Sequence, residues 1–401
     1  MPVTAHIAGG GIGGLAAALA LSSVGAEVRV FEQAAALEEV GAGIQLSPNA
    51  MLVLRALGVE AEVKAAGFEP EYAVIRDYRT SKPYMTAPLA GTCDRRYGAP
   101  YIHIHRSDLH AVLLAAAREV GVIVETGARA IGYDLSAPRP ALQLEGGRQA
   151  EADLLIGADG LNSAIRAQMA PDEAPVFTGQ VAWRGLVQTR DLPDGLVPPD
   201  ATVWAGPGRH FVAYYVRGGD LVNFVAVEER SDWRGESWTE TGDKAALRAA
   251  FDGWRPEVAR LIDRVDETFL WALFDRRPLP RWSDGPVALL GDACHPMPPF
   301  MAQGAAMAIE DAYVLARCVA ADGDLTHALR RYEALRKPRT TNILKQARAN
   351  ADLFHMNGLA AGVRLRAASL LPRRLALAPL DWIYGFDPTA APPGPGWSLA
   401  G

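Results

Sequence analysis

Residues 3–14 read Val-Thr-Ala-His-Ile-Ala-Gly-Gly-Gly-Ile-Gly-Gly, and this stretch decides the fold. A short apolar strand leads into a glycine cluster, and the Leu- and Ala-rich residues 15–21, which favour a helix, follow it. Gly9, Gly11 and Gly14 have the spacing that permits a tight turn, close approach of the backbone to a pyrophosphate, and close packing of a helix on a sheet. The pattern predicts a phosphate-binding strand-turn-helix unit, although a glycine-rich turn alone could also exist without a ligand.

The next strand-like stretch, residues 27–31, supplies the missing part of this pattern. It ends at Glu32, which follows Gly14 by 32 − 14 = 18 residues. An acid that binds a ribose is expected about 20 residues beyond the glycines. Strand, glycines, helix, second strand and acid in this order predict a dinucleotide site, without distinguishing FAD from NAD.

The overall composition excludes several classes of protein. A chain of 401 residues, 49% of them hydrophobic and 21% charged, is typical of a soluble globular protein with room for two domains. With 40 basic and 46 acidic residues, the net charge of -6 gives no electrostatic case for binding nucleic acid. The three cysteines Cys93, Cys294 and Cys318 are spaced for neither a zinc site nor a disulfide framework. We expect a cytoplasmic protein without a metal site, a signal segment or a membrane span.

A second informative segment covers residues 286–312. An apolar run ends at Asp292, a Pro-rich turn at 295–299 can continue neither strand nor helix, and Gly304 opens a long helical sequence. The free N–H groups at the start of that helix face the region of the carboxylate. The segment therefore predicts a site for a polar, partly anionic ligand.

A third segment, residues 152–166, again ends an apolar run with a carboxylate. Asp159 is followed by Gly160, which allows an unusual turn, and Ser163 and Arg166 begin a short polar helix. Taken alone, it could be an ordinary surface turn between a strand and a helix.

Together, the three segments resemble the three fingerprints of the flavoprotein aromatic hydroxylases, the single-component class similar to p-hydroxybenzoate hydroxylase. The resemblance runs from Gly9 to the Lys337-Pro338-Arg339 region. It implies FAD as the cofactor and NADH or NADPH as a transient co-substrate. The sequence has no second Gly-x-Gly-x-x-Gly, which fits this class and disfavours reductases with two dinucleotide domains.

The resemblance also implies which residues contact FAD. These are Gly9, Gly11, Gly13, Gly14, Glu32, Gln33, Gly43, Ile44, Arg106, Asp159, Gly160, Asp292, Pro299, Gln303, Gly304 and Ala305. Asp159 and Gly160 would also serve NAD(P)H, and the helix N-terminus at Gln303 and Gly304 would stabilise the negative charge of reduced flavin. His295 and Pro296 are expected to line the substrate pocket.

The expected fold is α/β, and α+β in part, with a Rossmann-like FAD-binding domain interleaved with an antiparallel-sheet substrate domain and followed by a helical C-terminal region. The expected boundaries are 1–72, 100–170 and 280–330 for the FAD-binding domain, 73–99 and 171–279 for the substrate domain, 331–388 for the helical region, and 389–401 for a disordered tail.

Residues 176–230 predict the substrate-binding strands, because they alternate with period two between turn residues. His210 and Tyr214 share one strand face, and we expect this pair to activate the substrate. A phenol has a pKa near 10, so its full ionisation at pH 7 needs a shift of roughly 3 units, about 4 kcal/mol. An ordinary sheet histidine beside a core tyrosine is the alternative.

Within the class, the chain most resembles salicylate, 3-hydroxybenzoate and 6-hydroxynicotinate monooxygenases, on stretches such as residues 181–185 and 291–297. The nicotinate-type relatives carry a histidine where Gln45 stands, and glutamine cannot act as a general base. Gln45 remains a candidate catalytic-site residue, and a hydroxylated benzoate or another hydroxypyridine acid remains open as the substrate.

The expected activity is hydroxylation of a small aromatic acid with NAD(P)H and O2 through a flavin C4a-hydroperoxide, by a monomer or homodimer. One alternative is a tailoring monooxygenase, epoxidase or oxidase that acts on a larger substrate. Another is a non-catalytic flavin-binding redox sensor. The basic residues after position 330, among them Arg336 and Arg339, are expected on a solvated helix face.

Overall fold

The computed structural model describes residues 2–37, 42–171, 175–230, 240–355 and 372–390. Residues 391–401 of the expected tail and 356–371 of the expected helical region lie outside the described residues. Within the described ranges, no helix combines the length and apolar character needed to cross a membrane.

The strands, in chain order, are β1 (Thr4–Ala8), β2 (Glu27–Phe31), β3 (Gly43–Leu46), β4 (Tyr72–Asp77), β5 (Pro83–Pro88), β6 (Ile102–His105), β7 (Ile123–Glu125), β8 (Ala130–Asp134), β9 (Ala141–Leu144), β10 (Gln149–Glu151), β11 (Leu154–Gly157), β12 (Val176–Gln188), β13 (Ala201–Gly206), β14 (Arg209–Val216), β15 (Leu221–Glu229), β16 (Glu240–Thr241), β17 (Thr268–Asp275), β18 (Ser283–Asp284) and β19 (Val287–Leu289).

The helices are α1 (Ile12–Ser23), α2 (Pro48–Ala56), α3 (Glu60–Ala66), α4 (Thr92–Tyr97), α5 (Arg106–Glu119), α6 (Ala164–Met169), α7 (Lys244–Ala250), α8 (Pro256–Arg264), α9 (Gly304–Ala321), α10 (Leu325–Phe354) and α11 (Asp381–Tyr384). Helix α9 begins at the predicted Gly304.

The first sheet has the strand order β18-β19-β11-β1-β2-β7. Strand β1 lies at its centre and pairs in parallel with β2 and β11, and β11 pairs in parallel with β19. The apolar runs predicted before Gly9, Asp159 and Asp292 therefore lie side by side in one sheet, with β11 between β1 and β19. Because the carboxyl ends of parallel strands meet at one edge, the loops after β1, β11 and β19 lie together there.

The second sheet has the order β16-β17-β12-β15-β14-β13-β4-β5. Strands β12, β14, β15 and β17 are antiparallel to their neighbours, as their alternation predicted. One pairing differs from a wholly antiparallel sheet: β13 runs parallel to β4, with Val203 opposite Ile75. The more than 120 residues between β4 and β13 leave ample length for the crossover connection that a parallel pair requires.

The two faces of the second sheet have different surroundings. Phe211 and Phe224 point to helices α7 and α8 and form a separate apolar core with Leu247 and Leu261. Residues on the other face, including His210, face the first sheet and line a cavity between the two sheets. Period-two alternation thus separates residues that stabilise the sheet from residues that face the cavity.

Helix α10 confirms only part of the expectation of a solvated basic face, because Arg348 is exposed whereas Arg336 and Arg339 are buried. Arg336 is 1% exposed and Arg339 is 6% exposed. The Arg336 Nε atom donates to Asp311 Oδ1 at 2.6 Å, and the Arg339 Nη2 atom donates to Glu310 Oε1 at 2.8 Å. Two carboxylates buried on α9 hold these guanidinium groups inside, which charge spacing along α10 alone does not reveal.

Candidate active site

The loops after β1, β11 and β19 are joined by backbone hydrogen bonds at the edge of the first sheet. The Ala158 N–H donates to the Ala8 carbonyl at 2.8 Å, and the Leu290 N–H donates to the Gly157 carbonyl at 2.9 Å. Strand pairing therefore assembles the three segments that the sequence analysis singled out, although they lie far apart along the chain.

The glycines of the first loop fall into two structural classes. A Cβ atom on Gly14 would lie 2.0 Å from the Gly9 carbonyl oxygen, and Gly9 has a φ of +101°. These two positions need glycine for the turn and for helix packing. By contrast, a Cβ on Gly11 would meet no protein atom within 4 Å. That open space at the start of α1 fits a ligand that approaches the backbone closely.

One cavity of about 430 Å³ lies beside this loop. Its lining includes the predicted cofactor residues Gly9, Gly11, Glu32, Gln33, Arg106, Asp159 and Gly160. Glu32 is fixed at the end of β2, where it accepts hydrogen bonds from the N–H groups of Gly10 at 2.7 Å and Ala34 at 2.8 Å. The predicted acid therefore lines the cavity, and its contact with a ribose stays a prediction.

Asp159 combines a helix cap with an unsatisfied acceptor. Its Oδ2 atom accepts hydrogen bonds from the N–H groups of Ala164 at 2.8 Å and Ile165 at 3.3 Å. Its Oδ1 atom is buried and has no hydrogen-bond partner in the described part of the chain. Burial raises the pKa of this carboxyl above its usual value. A buried acceptor without a partner normally has a ligand or water beside it, so Asp159 fits a bound hydroxyl.

Arg166 connects the second segment to the third. It is 2% exposed, and its Nη1 atom donates to the carbonyl oxygens of Ala293 at 3.2 Å and Cys294 at 2.9 Å. Ser163 caps the same short helix by accepting from the Arg166 N–H at 2.8 Å. These contacts hold the loop that carries Asp292 against the loop that carries Asp159.

A second cavity, of about 370 Å³, lies between the two sheets. It is lined by Gly11, Gly13, Gly43, Ile44, Gln45, Arg106, Gly160, Asp292, Pro299, Gly304 and Ala305 from the predicted set. Arg106 and Gly160 line both cavities, so the two are neighbouring parts of one elongated site. Two connected compartments suit a two-part ligand such as a dinucleotide.

The start of α9 opens into the second cavity. A Cβ on Gly304 would meet no protein atom within 4 Å. Gln303, in contrast, is 1% exposed and lines neither cavity, because its Nε2 atom donates to Ser47 Oγ at 2.9 Å. The geometry supports the backbone of this helix start, and not the Gln303 side chain, as the contact with a ligand.

His295 and Pro296 are not where the sequence placed them. Both line a different, small cavity near Trp282, and neither lines the cavity between the sheets. The His295 Nε2 atom lies 2.5 Å from Asp311 Oδ2. Although burial alone would raise the pKa of Asp311, the neighbouring His295 and Arg336 charges lower it to about 2. This attraction draws His295 away from the expected substrate pocket.

His210 and Tyr214 both line the cavity between the sheets, from the same face of β14, with Val212 between them. Burial raises the pKa of the Tyr214 phenol well above its usual value, although Arg184 opposes the shift. Burial and the neighbouring His355 lower the pKa of His210 well below its usual value. At neutral pH the cavity therefore contains a protonated phenol and an uncharged imidazole, one donor and one acceptor.

Gln45 lies on β3, which forms the opposite wall. Its Oε1 atom accepts a hydrogen bond from the Tyr101 hydroxyl at 2.7 Å. On the same strand, a Cβ on Gly43 would lie 2.5 Å from the Tyr214 ring, and the Gly43 N–H donates to Asn223 Oδ1 at 2.7 Å. Close contact of β3 with β14 and β15 thus brings the predicted flavin loop against the substrate strands.

Arg184 is a cavity residue to which the sequence analysis assigned no role. Its guanidinium carbon lies 3.2 Å from the centre of the Trp271 ring. No carboxylate among the described residues forms an ion pair with it, and burial, reinforced by the Arg106 charge, lowers its pKa to about 9. A charged residue on the inward face of an otherwise apolar strand was the signal available in the sequence.

Comparisons with known proteins agree with this geometry. Residues 2–347 match the family described as FAD binding domain. The chain is 39% identical to 3-amino-4-hydroxybenzoate 2-monooxygenase PtnB3 of Streptomyces platensis over 97% of this chain and 96% of that protein. It is 38% identical to 6-hydroxynicotinate 3-monooxygenase of Bordetella bronchiseptica over 96% of each chain.

A solved structure shows the same architecture with the cofactor bound. Klebsiella pneumoniae HpxO, in complex with FAD and uric acid, superposes with a TM-score of 0.84 at 29% identity, covering 94% of this chain and 96% of that one. The expected fold, FAD as cofactor and NAD(P)H as co-substrate are thereby confirmed, and so is an enzyme rather than a redox sensor. The chain belongs to the FAD binding domain family and is an FAD-dependent monooxygenase of the aromatic-hydroxylase class.

Proposed function

We propose that this enzyme hydroxylates a benzoate or pyridine carboxylate that carries a ring hydroxyl. The observation that supports this substrate class is the set of three polar groups in one cavity: the Arg184 guanidinium, the His210 imidazole and the Tyr214 phenol. A carboxylate is the natural partner of a guanidinium that has no acid beside it. An imidazole and a phenol offer one acceptor and one donor to a ring hydroxyl.

We further propose how the site holds FAD. The residues that line the 430 Å³ cavity, with Glu32 and Asp159 as acceptors, would hold the ADP half. Asp292, Pro299 and the start of α9 would hold the flavin half in the other cavity. Bound FAD supplies the redox chemistry, since it takes a hydride from NAD(P)H and then activates O2. The free N–H groups of α9 place partial positive charge where the reduced ring is negative, without introducing an ionisable group.

The two members of the predicted base pair have different roles in this proposal. The low pKa of His210 keeps its ring uncharged, so it can accept a proton from the substrate hydroxyl. The high pKa of Tyr214 keeps its hydroxyl protonated, so it donates a hydrogen bond to the developing phenolate. Gln45 positions the ring through its amide and cannot take the proton.

The activities of the relatives define the first panel to test. We would measure NADH and NADPH oxidation with 3-amino-4-hydroxybenzoate, 3-hydroxybenzoate, salicylate and 6-hydroxynicotinate, alongside the decarboxylated phenols as controls. Hydroxylated product and released peroxide would be measured in the same samples. Oxidation stimulated by an acid, with product matching consumed NAD(P)H, supports the proposal. Peroxide without product, or equal stimulation by the decarboxylated phenols, contradicts it.

Further proposals concern the cellular location, the oligomeric state and the domain division. The three cysteines are buried free thiols, which supports a reducing, cytoplasmic location. We propose a monomer or homodimer, which light scattering behind a sizing column would distinguish. We also propose a substrate domain made of residues 73–99 and 171–279. In support, all strands of the second sheet lie within residues 72–88, 176–229 and 240–275.

A further inference from the structure

His210 is hydrogen-bonded to a second histidine on the far side from the cavity. Its Nδ1 atom lies 2.7 Å from the Nε2 atom of His355. His355 immediately follows α10, and its carbonyl oxygen accepts from the Gly208 N–H at 3.1 Å. This hydrogen bond joins the C-terminal end of α10 to the turn before β14 and places the His355 imidazole against the second sheet.

The chain of polar groups continues to the protein surface. The His355 Nδ1 atom lies 2.9 Å from Glu229 Oε1. His210 and His355 are 3% and 5% exposed, whereas the Glu229 side chain is 56% exposed. The series His210, His355 and Glu229 therefore leads from the cavity between the sheets to solvent on another side.

The hydrogen bonds determine where the protons lie. The His355 Nδ1 atom carries hydrogen because its partner is a carboxylate. With neutral His355, its Nε2 atom accepts from the Nδ1–H group of His210. The remaining nitrogen of His210, Nε2, is then an acceptor, and His210 is the member of the series that lines the cavity. The resting network thus presents a base to a bound hydroxyl.

We propose that His355 and Glu229 form a proton exit path that carries the proton of the substrate hydroxyl from His210 to solvent. This inference rests on the proposed function, because it needs a hydroxylated substrate beside His210. The substrate O–H bond breaks as a bond to His210 Nε2 forms, and the His210 Nδ1 proton moves to His355 Nε2. The His355 Nδ1 proton then passes to Glu229 and to water.

Burial explains why such a path is needed. His210 is packed by the rings of Phe300 and Phe354, at centroid distances of 5.5 and 5.2 Å. An imidazolium in these surroundings is unfavourable, so a proton accepted there must move on. On His355 it would lie beside the Glu229 carboxylate, which stabilises the charge. His355 and Glu229 thus act through His210 and touch no substrate atom.

The test follows the proton itself and does not require turnover. The wild-type holoenzyme, with FAD oxidised, is mixed near neutral pH in a stopped-flow instrument with 3-hydroxybenzoate or 4-hydroxybenzoate. Their hydroxyls are protonated in free solution, and their phenolates absorb at longer ultraviolet wavelengths than the phenols. Phenol red in weak buffer reports proton release to solvent. We expect phenolate formation and dye protonation to proceed together in the wild type.

His355→Gln keeps a hydrogen-bonding group beside His210 but cannot relay a proton. We expect it to slow phenolate formation and proton release by about tenfold or more, within the usual range for acid-base groups, while probe affinity and FAD fluorescence stay within threefold of the wild type. Glu229→Gln should slow proton release by about threefold. Added imidazole should restore part of the rate in His355→Ala, which a purely structural role of His355 would not allow.

The matched control is Glu228→Gln on the same strand. Glu228 accepts from the Trp183 indole at 3.2 Å on the opposite face of the sheet, so this variant should keep the wild-type rates. Wild-type proton release in His355→Gln overturns the relay. If His355→Gln fails to bind FAD, Glu229→Gln, at an exposed position, serves as the test instead. An unchanged rate of proton release in Glu229→Gln also overturns the relay. If the wild type binds no aromatic acid, the proposed function fails first, and the relay fails with it.

Discussion

At the scale of single residues, Arg184 has the strongest influence on what the cavity can bind. Its charge lies over Trp271 in a partly buried position, without an acid of the described chain to neutralise it. A guanidinium in such surroundings gains most from a ligand that brings a carboxylate. We therefore expect this residue to separate aromatic acids from neutral phenols of the same size.

Replacing Arg184 tests this role. We expect Arg184→Gln to raise the KM for the best aromatic acid by about 10- to 100-fold, because a hydrogen bond to a charged group contributes about 1.5–3 kcal/mol. The KM of the matching phenol should change far less. Arg209→Gln, on β14 and 3.6 Å from a Glu228 carboxylate oxygen, is the control and should leave both constants as they are. An equal loss for acid and phenol would contradict a carboxylate contact.

Two glycines of the first loop predict opposite outcomes for the same substitution. Gly11→Ala adds a methyl group where no protein atom lies within 4 Å, so the apoprotein should unfold at the wild-type temperature while FAD affinity falls. Gly14→Ala places a methyl group 2.0 Å from the Gly9 carbonyl oxygen, so the apoprotein itself should lose stability. Fluorescence titration with FAD and thermal unfolding of the apoproteins measure both. Normal FAD affinity in Gly11→Ala would contradict close approach of the ligand there.

Local sequence patterns predicted the positions of some of these residues and could not predict those of others. Alternation along β14 predicted that His210 and Tyr214 share a face, because side-chain direction in a strand is a local property. The position of His295 depends on Asp311, which lies on a later helix, so no local pattern could place it. The significance of Arg184 lies in the lack of a nearby acid, which only the folded arrangement reveals.

At the scale of elements, the contact between α9 and α10 depends on buried charge. Glu310 and Asp311 are fully buried, and Arg336 bonds to both, to Glu310 Oε2 at 2.5 Å and to Asp311 Oδ1 at 2.6 Å. Asn49 of α2 donates to Glu310 Oε1 at 2.6 Å. Helix α9, whose start faces the cavity between the sheets, is therefore held in position by α2 and α10.

Removing one charged partner from this cluster should destabilise the folded protein. Arg336→Met leaves two buried carboxylates with too little positive charge, so we expect the free energy of unfolding to fall by about 3–5 kcal/mol. Arg330→Met, at an exposed position of the same helix, should change it by less than about 0.5 kcal/mol. Urea unfolding of the two apoproteins provides the comparison. Equal stability of both variants would show that the cluster contributes nothing beyond packing.

At the scale of the whole molecule, one elongated site joins the two sheets. The cavity of about 430 Å³ belongs to the first sheet and its loops, and the cavity of about 370 Å³ lies between both sheets. A ligand that fills both would connect the two parts of the protein. The expected Rossmann-like unit and substrate sheet were predictable from motif order and alternation, whereas the way they share a cavity depends on contacts such as Gly43 with Tyr214.

This arrangement predicts a cooperative effect of FAD on thermal unfolding. At a free concentration about 100 times its Kd, FAD should stabilise the folded protein by about 2.7 kcal/mol and raise the whole transition by several degrees. FMN lacks the adenylate that would occupy the larger cavity and should have a smaller effect at the same concentration. Differential scanning calorimetry distinguishes the cases. A transition that splits, with one part insensitive to FAD, would mean that the two sheets unfold independently.

The parallel pairing of β13 with β4 restricts how this protein can be recombined with its relatives. An exchange of residues 171–279 alone would transplant β13 and leave behind β4 and β5, its neighbours in the sheet. The transplanted strand would have to pair with a foreign edge, and register errors there would turn side chains to the wrong face. Chimeras intended to transfer substrate preference therefore need two crossover segments, one covering residues 72–88 and one covering the later strands. A single contiguous exchange would alter the residues that line the cavity and would also disrupt the strand pairing that forms its wall.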